Sequence, residues 1–247
     1  MKFIECINET TFMNEDRKII EFKYYGAKKK TELNEHGFVW DSKYPCALQK
    51  NNHQIRHPIF NIWDGMRKRT TSKIHQSRMP NYKETYVCKE WRLYSTFAQW
   101  VMEQQIWLGR QLDKDLLRPG NKEYGPKYCR FVPSQINNLF VDSGTIRGNF
   151  PMGVYKHENS YIGVCKLNHN KEVLRKTFSH NLINNMSDKE LISMAHAYWQ
   201  QVKMQVILGA IKKHLIPEYD QDIINALLNR FEILKSDVEA GRETIKL

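Results

Sequence analysis

Apolar residues recur at helical spacing in four stretches of this chain, and shorter runs between them carry strand patterns. After His57-Pro58, Ile59, Ile62, Trp63 and Met66 fall at i, i+3, i+4 and i+7, which predicts a short helix with one apolar stripe. Phe97, Trp100, Val101 and Trp107 predict a second helix, capped by Ser95 or Thr96 and ended by Gly109, with its aromatics in the core. Ser187-Asp188-Lys189-Glu190 has the form of a capping box and opens a third helix with Leu191, Ala195, Trp199, Val202 and Val206 on one face. Beyond Pro217, Ile223, Leu227 and Phe231 predict a final helix that packs back.

Three short strands are predicted at Gly153 to Lys156, Ser160 to Leu167 and Val173 to Phe178, after a linker-like passage from Asp142-Ser143-Gly144 to Gly148-Asn149. The turns between the strands are polar, His157-Glu158-Asn159 and Asn168-His169-Asn170-Lys171. Near the start, Ile19 to Tyr25 reads as a strand closed by Gly26 and Lys28-Lys29-Lys30, inside a β-rich leader covering residues 1–55. Tyr86 to Trp91 reads as a strand running into a turn.

Charge adds a partner to this picture. Among 247 residues, 38 Lys and Arg stand against 27 Asp and Glu, a formal net charge of +11. Neutralising phosphates releases condensed counterions, so such a surplus points to a polyanion; the alternative is a soluble basic protein. The imbalance is local: from Lys50 to Arg92 ten Lys and Arg face only Asp64, Glu84 and Glu90. That stretch reads as a phosphate-facing surface with Arg67, Lys68, Arg69 and Lys73 as candidates, although cations in a last helical turn also answer to the helix dipole. The lysine triplet at 28–30 is a solvated loop or a phosphate contact.

Cys6, Cys46, Cys88, Cys129 and Cys165 are odd in number and contain no Cys-x-x-Cys, which argues against a disulfide framework or a zinc ribbon and for a reducing compartment. Glu5 interrupts the first apolar patch, and no apolar run approaches the roughly 20 residues that span a bilayer. An intracellular, soluble protein without a membrane partner is expected.

Candidate chemistry gathers at Leu112-Asp113-Lys114-Asp115. In an extended run Asp113 and Asp115 point to one face and Lys114 to the other, and Asn121 and Asn137 offer amide oxygens. A hydrolytic metal site needs such oxygen ligands and a base that activates water. The competing reading is that Asp and Asn near Gly and Pro build turns. The nine histidines fall into no ligand spacing.

The order Trp63-x-x-Met66, Pro80-x-Tyr82, Val87-Cys88-x-Glu90-Trp91, Ser95-x-Phe97-x-x-Trp100, Leu112-Asp113-Lys114-Asp115, Gly120-Asn121-Lys122-x-Tyr124, Pro126-x-x-Cys129 and Ile136-Asn137 resembles phage-encoded HNH homing-type endonucleases. More specifically it resembles the branch carrying an Apetala/ethylene-response-factor-type DNA-binding domain, and the resemblance covers about residues 57–215. It implies an α+β fold with a ββα-metal core in residues 56–142. A small three-stranded antiparallel sheet with a packing helix follows in 150–212, and a helical extension in 213–247. Carried over, Asp113 is the acidic ligand and Asn137 the final Asn ligand of one Mg2+, with Asp115 assisting. Lys114 stands where the general-base His sits, and Tyr128 where the mid-motif Asn sits. Asp113, Lys114, Asp115, Asn121 and Asn137 are thus the catalytic candidates.

In the Apetala-type part the sheet enters the major groove. Tyr155 takes the place of an Arg, Tyr161 that of a Trp, and Arg175-Lys176-Thr177-Phe178 that of Leu-Gly-Thr-Phe. Lys156, Lys166, Arg175 and Lys176 are expected to face outward and, with the two tyrosines, to meet DNA. The implied function is metal-dependent nicking or cleavage of double-stranded DNA in the host cytoplasm. The alternative is a catalytically lapsed relative, a DNA-binding regulator or counter-defence factor acting through DNA or a host protein. A third reading is an adaptor whose basic face meets an acidic host protein.

Overall fold

The computed structural model describes residues 1–23, 31–32, 36–41, 44–50, 53–140, 148–167, 172–183 and 185–247. The expected lysine-triplet loop, the linker at Asp142 to Gly144 and the turn at Asn168 to Lys171 lie outside them. Helices and mostly antiparallel sheets make an α+β chain that divides into two units, Met1–Val132 and Pro133–Leu247. Among the described residues no helix is long and apolar enough to cross a membrane.

The first unit begins with strands β1 (Phe3–Cys6), β2 (Thr11–Asn14) and β3 (Ile19–Glu21) in one antiparallel sheet. Two small antiparallel pairs follow, β4 (Thr31–Glu32) with β5 (Val39–Trp40) and β6 (Ala47–Lys50) with β7 (His53–Arg56). Helix α1 (Pro58–Thr71) starts with proline at a position whose N–H needs no partner, and α2 (Lys73–Arg78) follows after Ser72 caps it. The expected stripe holds: Ile59, Trp63 and Met66 are buried. The leader shares their core through Phe12, Ile20, Phe22 and Phe38.

The expected strand at 86–91 is only β8 (Tyr86–Val87), because a 3-10 turn takes over at Glu90–Arg92. Helix α3 (Tyr94–Glu103) departs from expectation at both ends. Leu93 is its N-cap, and Ser95 instead donates its hydroxyl to the buried Asp41 carboxylate. At the other end the Gln104 side chain donates to the Trp100 carbonyl at 3.0 Å and closes the helix, so Trp107 reaches the core from the following loop. Then β9 (Gln111–Asp113), β10 (Glu123–Tyr124) and β11 (Arg130–Val132) complete the unit. β10 runs parallel to β8, and β11 runs antiparallel to β9 with Asp113 opposite Arg130.

The second unit opens with the single turn α4 (Ser134–Asn137). Strands β12 (Val154–His157), β13 (Ser160–Lys166) and β14 (Val173–Ser179) form an antiparallel meander close to the expected boundaries. Helix α5 (Asp188–His214) lies across it, and both bonds of the Ser187–Glu190 capping box are made. Val154, Tyr161, Phe178, Leu191 and Ala195 are the buried centre of this layer. Helix α6 (Pro217–Glu239) packs back on α5, and the tail beyond it is latched by Gln200 and His196. Gln200 donates to the Thr244 hydroxyl at 2.8 Å, and the Thr244 amide donates to His196 Nε2 at 2.9 Å.

One buried group of the first unit gives stability a pH dependence. His57 is fully buried between Phe12 and Phe22, with Nε2 on the Glu9 carbonyl at 2.9 Å and Nδ1 without a hydrogen-bond partner. Burial outweighs that hydrogen bond and pushes its pKa down to about 4. The unfolded chain takes up this proton from about pH 6.5 downward while the folded one refuses it until about 4. Stability is therefore full above that window and falls through it. Urea unfolding should show a loss of about 2 kcal/mol between about pH 7 and 5. His57→Gln, which keeps the donor to Glu9, should flatten that slope; an unchanged slope in the variant contradicts the assignment.

Candidate nucleic-acid interface

Strand alternation decides what the three-stranded sheet presents. Val154, Tyr161, Gly163, Cys165 and Phe178 turn toward α5 and are buried. At Gly163 the helix comes so close that a Cβ would stand 2.4 Å from the Ala195 carbonyl oxygen. The register Tyr155–Ile162–Thr177, Val164–Arg175 and Lys166–Val173 makes the opposite face. Lys166, Arg175 and Thr177 are exposed there, and Tyr155, Ile162, Val164 and Val173 are half-buried. No Asp or Glu occupies an outward position of these strands. The result is a cationic face with apolar and hydroxyl groups between its charges.

This corrects half of the expected outward placements. Tyr155, Lys166 and Arg175 lie on the open face. Lys156, Tyr161 and Lys176 alternate to the helix side: Tyr161 is buried, and the two lysines, still exposed, have Lys156 Nζ 5.6 Å from the Tyr161 ring centroid and Lys176 Nζ 5.5 Å from that of Phe178. Adjacent strand residues cannot share a face, so Arg175 with Lys176 was excluded by the pleat.

The expected phosphate surface on α1 is also altered. Asp64, buried, receives Arg56 at 2.7 Å, Arg67 at 2.5 Å and Lys68 at 2.9 Å. Burial alone would raise its carboxyl, but the hydrogen bonds from Lys68, Arg67 and Arg56 outweigh it and bring the pKa to about 2. Arg69 donates to the Tyr124 hydroxyl at 3.0 Å and lies 5.4 Å from that ring centroid. Of the four, Lys73 is exposed and pairs with no carboxylate among the described residues. The i,i+3 and i,i+4 spacing of Asp64 to Arg67 and Lys68 was the available signal.

The Asp113 segment is a brace. The extended run ends at Asp113, whose Oδ1 accepts the backbone N–H groups of Asp115 at 2.8 Å and Leu116 at 2.6 Å. Asp113 and Asp115 therefore do not alternate along a strand. Burial pushes the Asp113 carboxyl up, the Leu116 N–H opposes that, and the Asp115 charge adds to it. Lys114 is buried, with Nζ donating to both Asp115 oxygens at 2.7 and 2.6 Å and to the Asn121 carbonyl at 2.8 Å. Asn121 returns its amide N–H groups to the carbonyls of Lys114 at 2.9 Å and Glu123 at 2.7 Å. Asn137 ends α4 in the second unit.

Mg2+ takes open oxygens in near-octahedral geometry. Here the Asp115 oxygens hold an ammonium, the Asn121 oxygen faces the Glu123 N–H at 3.4 Å, and one Asp113 oxygen caps a turn. The residues as arranged do not fit that ion: a buried lysine cation takes the central place. Among the described residues no three His, Cys, Asp or Glu side chains gather as a possible metal group.

Other buried polar groups carry no pattern in the sequence. Lys203 donates to the Leu139 carbonyl and lies 5.1 Å from the Phe140 ring centroid, with Arg230 at 4.8 Å from the same centroid. No protein-family model, curated protein or solved structure matches the chain.

Lys114→Ala should cost about 2 kcal/mol in chemical denaturation, since three charge-assisted or carbonyl hydrogen bonds disappear from a buried position. Millimolar Mg2+ should leave the wild-type melting temperature in place, because an ion bound by the folded state alone would raise it. A Mg2+-dependent rise that Asp113→Ala removes contradicts the brace.

Proposed function

We propose that the protein binds double-stranded DNA by laying the open face of β12, β13 and β14 in the major groove, and that it holds DNA without cutting it. The observation that carries this reading is the acid-free face bearing Arg175, Lys166, Tyr155 and Thr177, backed by a single long helix. A groove about 12 Å wide admits a small twisted sheet. Arg175 has the planar fork that pairs with a guanine edge, Lys166 the point charge that suits a phosphate, and Thr177 and Tyr155 supply hydroxyl and apolar contact. The net charge of +11 supports attraction of a polyanion over the whole molecule.

The resemblance to phage HNH endonucleases with an Apetala-type domain enters on the same footing, through the meander-and-helix order and the Asp113 segment. In this reading the chain is a lapsed relative that retains the grip, since Lys114 stands at the base position and its ammonium is locked against Asp115. A neutral imidazole has a lone pair that can accept a proton from water, whereas an ammonium has none.

Fluorescence anisotropy with a labelled duplex tests the reading. Arg175→Ala should weaken binding about tenfold and relax sequence preference, as loss of a bidentate base contact does. Lys166→Ala should weaken all sequences alike, and Lys156→Ala, on the helix side, should stay near wild type. If Arg175→Ala and Lys156→Ala behave alike, the sheet face is not the reader.

A further inference from the structure

Among the described residues of the first unit, Arg118 and Lys127 have no carboxylate partner. Arg56, Arg67 and Lys68 converge on Asp64, and Lys114 on Asp115. Arg118 and Lys127, by contrast, are exposed and share one tyrosine. Arg118 Nη1 donates to the Tyr128 hydroxyl at 3.0 Å, and its Cζ lies 5.4 Å from the ring centroid. Lys127 Nζ lies 5.2 Å from the same centroid. Hydrogen bonds from Lys127 and then Arg118 draw the Tyr128 hydroxyl below the usual phenol range.

Two like charges gathered on one hydroxyl repel, and in a solvated loop little is gained by holding them together. The backbone nevertheless holds them. Gly120 takes φ +81° in the turn after Arg118, and Asn121 ties the loop to Lys114 and Glu123. On the far side the Tyr128 and Cys129 amides bond the Gly125 carbonyl at 3.3 and 3.0 Å. The ring and the hydroxyl oxygen occupy part of each cation's bonding capacity. The remaining guanidinium N–H groups, the ammonium and the phenol O–H are a donor set suited to the oxygens of one phosphate.

We infer that Arg118, Lys127 and Tyr128 form a phosphate clasp on the first unit, which takes one phosphodiester group of a DNA backbone. The choice of DNA rests on the sheet-face reading of the second unit, while the clasp itself stands on its own geometry. The two anionic, non-bridging oxygens of a phosphodiester carry the lone pairs that these three donors require. Backbone contact of this kind adds affinity without sequence preference.

The test measures duplex affinity of the full chain by anisotropy across about 50 to 200 mM NaCl. For Arg118→Gln/Lys127→Gln the slope of log affinity against log salt should fall by about 0.9, the value for one phosphate, with sequence preference kept. Tyr128→Phe should weaken binding a few-fold and leave the melting temperature near wild type. Wild-type binding with an unchanged slope in the double variant overturns the clasp alone. A slope that falls in the double variant while Arg175→Ala and Lys166→Ala change nothing overturns the sheet reading and leaves the clasp standing. Absence of DNA binding by the wild type overturns both.

Discussion

The seating of α5 on the middle strand is the constraint on which the second unit depends. With the Ala195 carbonyl 2.4 Å from where a Cβ at position 163 would be, β13 has one position where only glycine can face the helix. A one-residue register slip would place Ile162 or Val164 there and exchange every inward and outward group. Gly153, at φ +76°, repeats the device at the entry to β12, where a Cβ would stand 2.0 Å from Trp199. The helix thus selects which side chains the sheet shows to solvent, and the cationic character of that face follows from packing on the other.

In the first unit the same logic works through charge. A buried carboxylate is tolerable only when cations and hydrogen bonds surround it, and Asp64 has three. Lys114 is the mirror case, a buried ammonium held by Asp115 and a carbonyl. Both devices pair charges that a count along the chain would assign to a ligand. The +11 surplus is real, but its local distribution depends on which cations the fold has already paired.

Much of the fold was legible in the letters, because it rests on period and capping. The α1 stripe, the three strands, the Ser187–Glu190 box and the last helix all follow local rules. What was not legible depended on distant partners. Ser95 is drawn from its expected cap by Asp41, and Gln104 closes α3 before Trp107. The site was legible in its cations and not in their directions. Arg175 and Lys166 face outward, but Lys156, Lys176 and Tyr161 do not, and Arg67 and Lys68 already have a carboxylate. The Arg118–Tyr128–Lys127 cluster spans a loop closed by Asn121, which no spacing rule reveals.

The central claim concerns a face, so the most direct measurement is proximity. A benzophenone side chain in place of Tyr155 lies on the open face, and one in place of the exposed Leu208 lies on α5. Irradiation with a labelled duplex should cross-link the first to DNA and leave the second uncoupled. Cross-linking from position 208 with none from 155 would contradict the account.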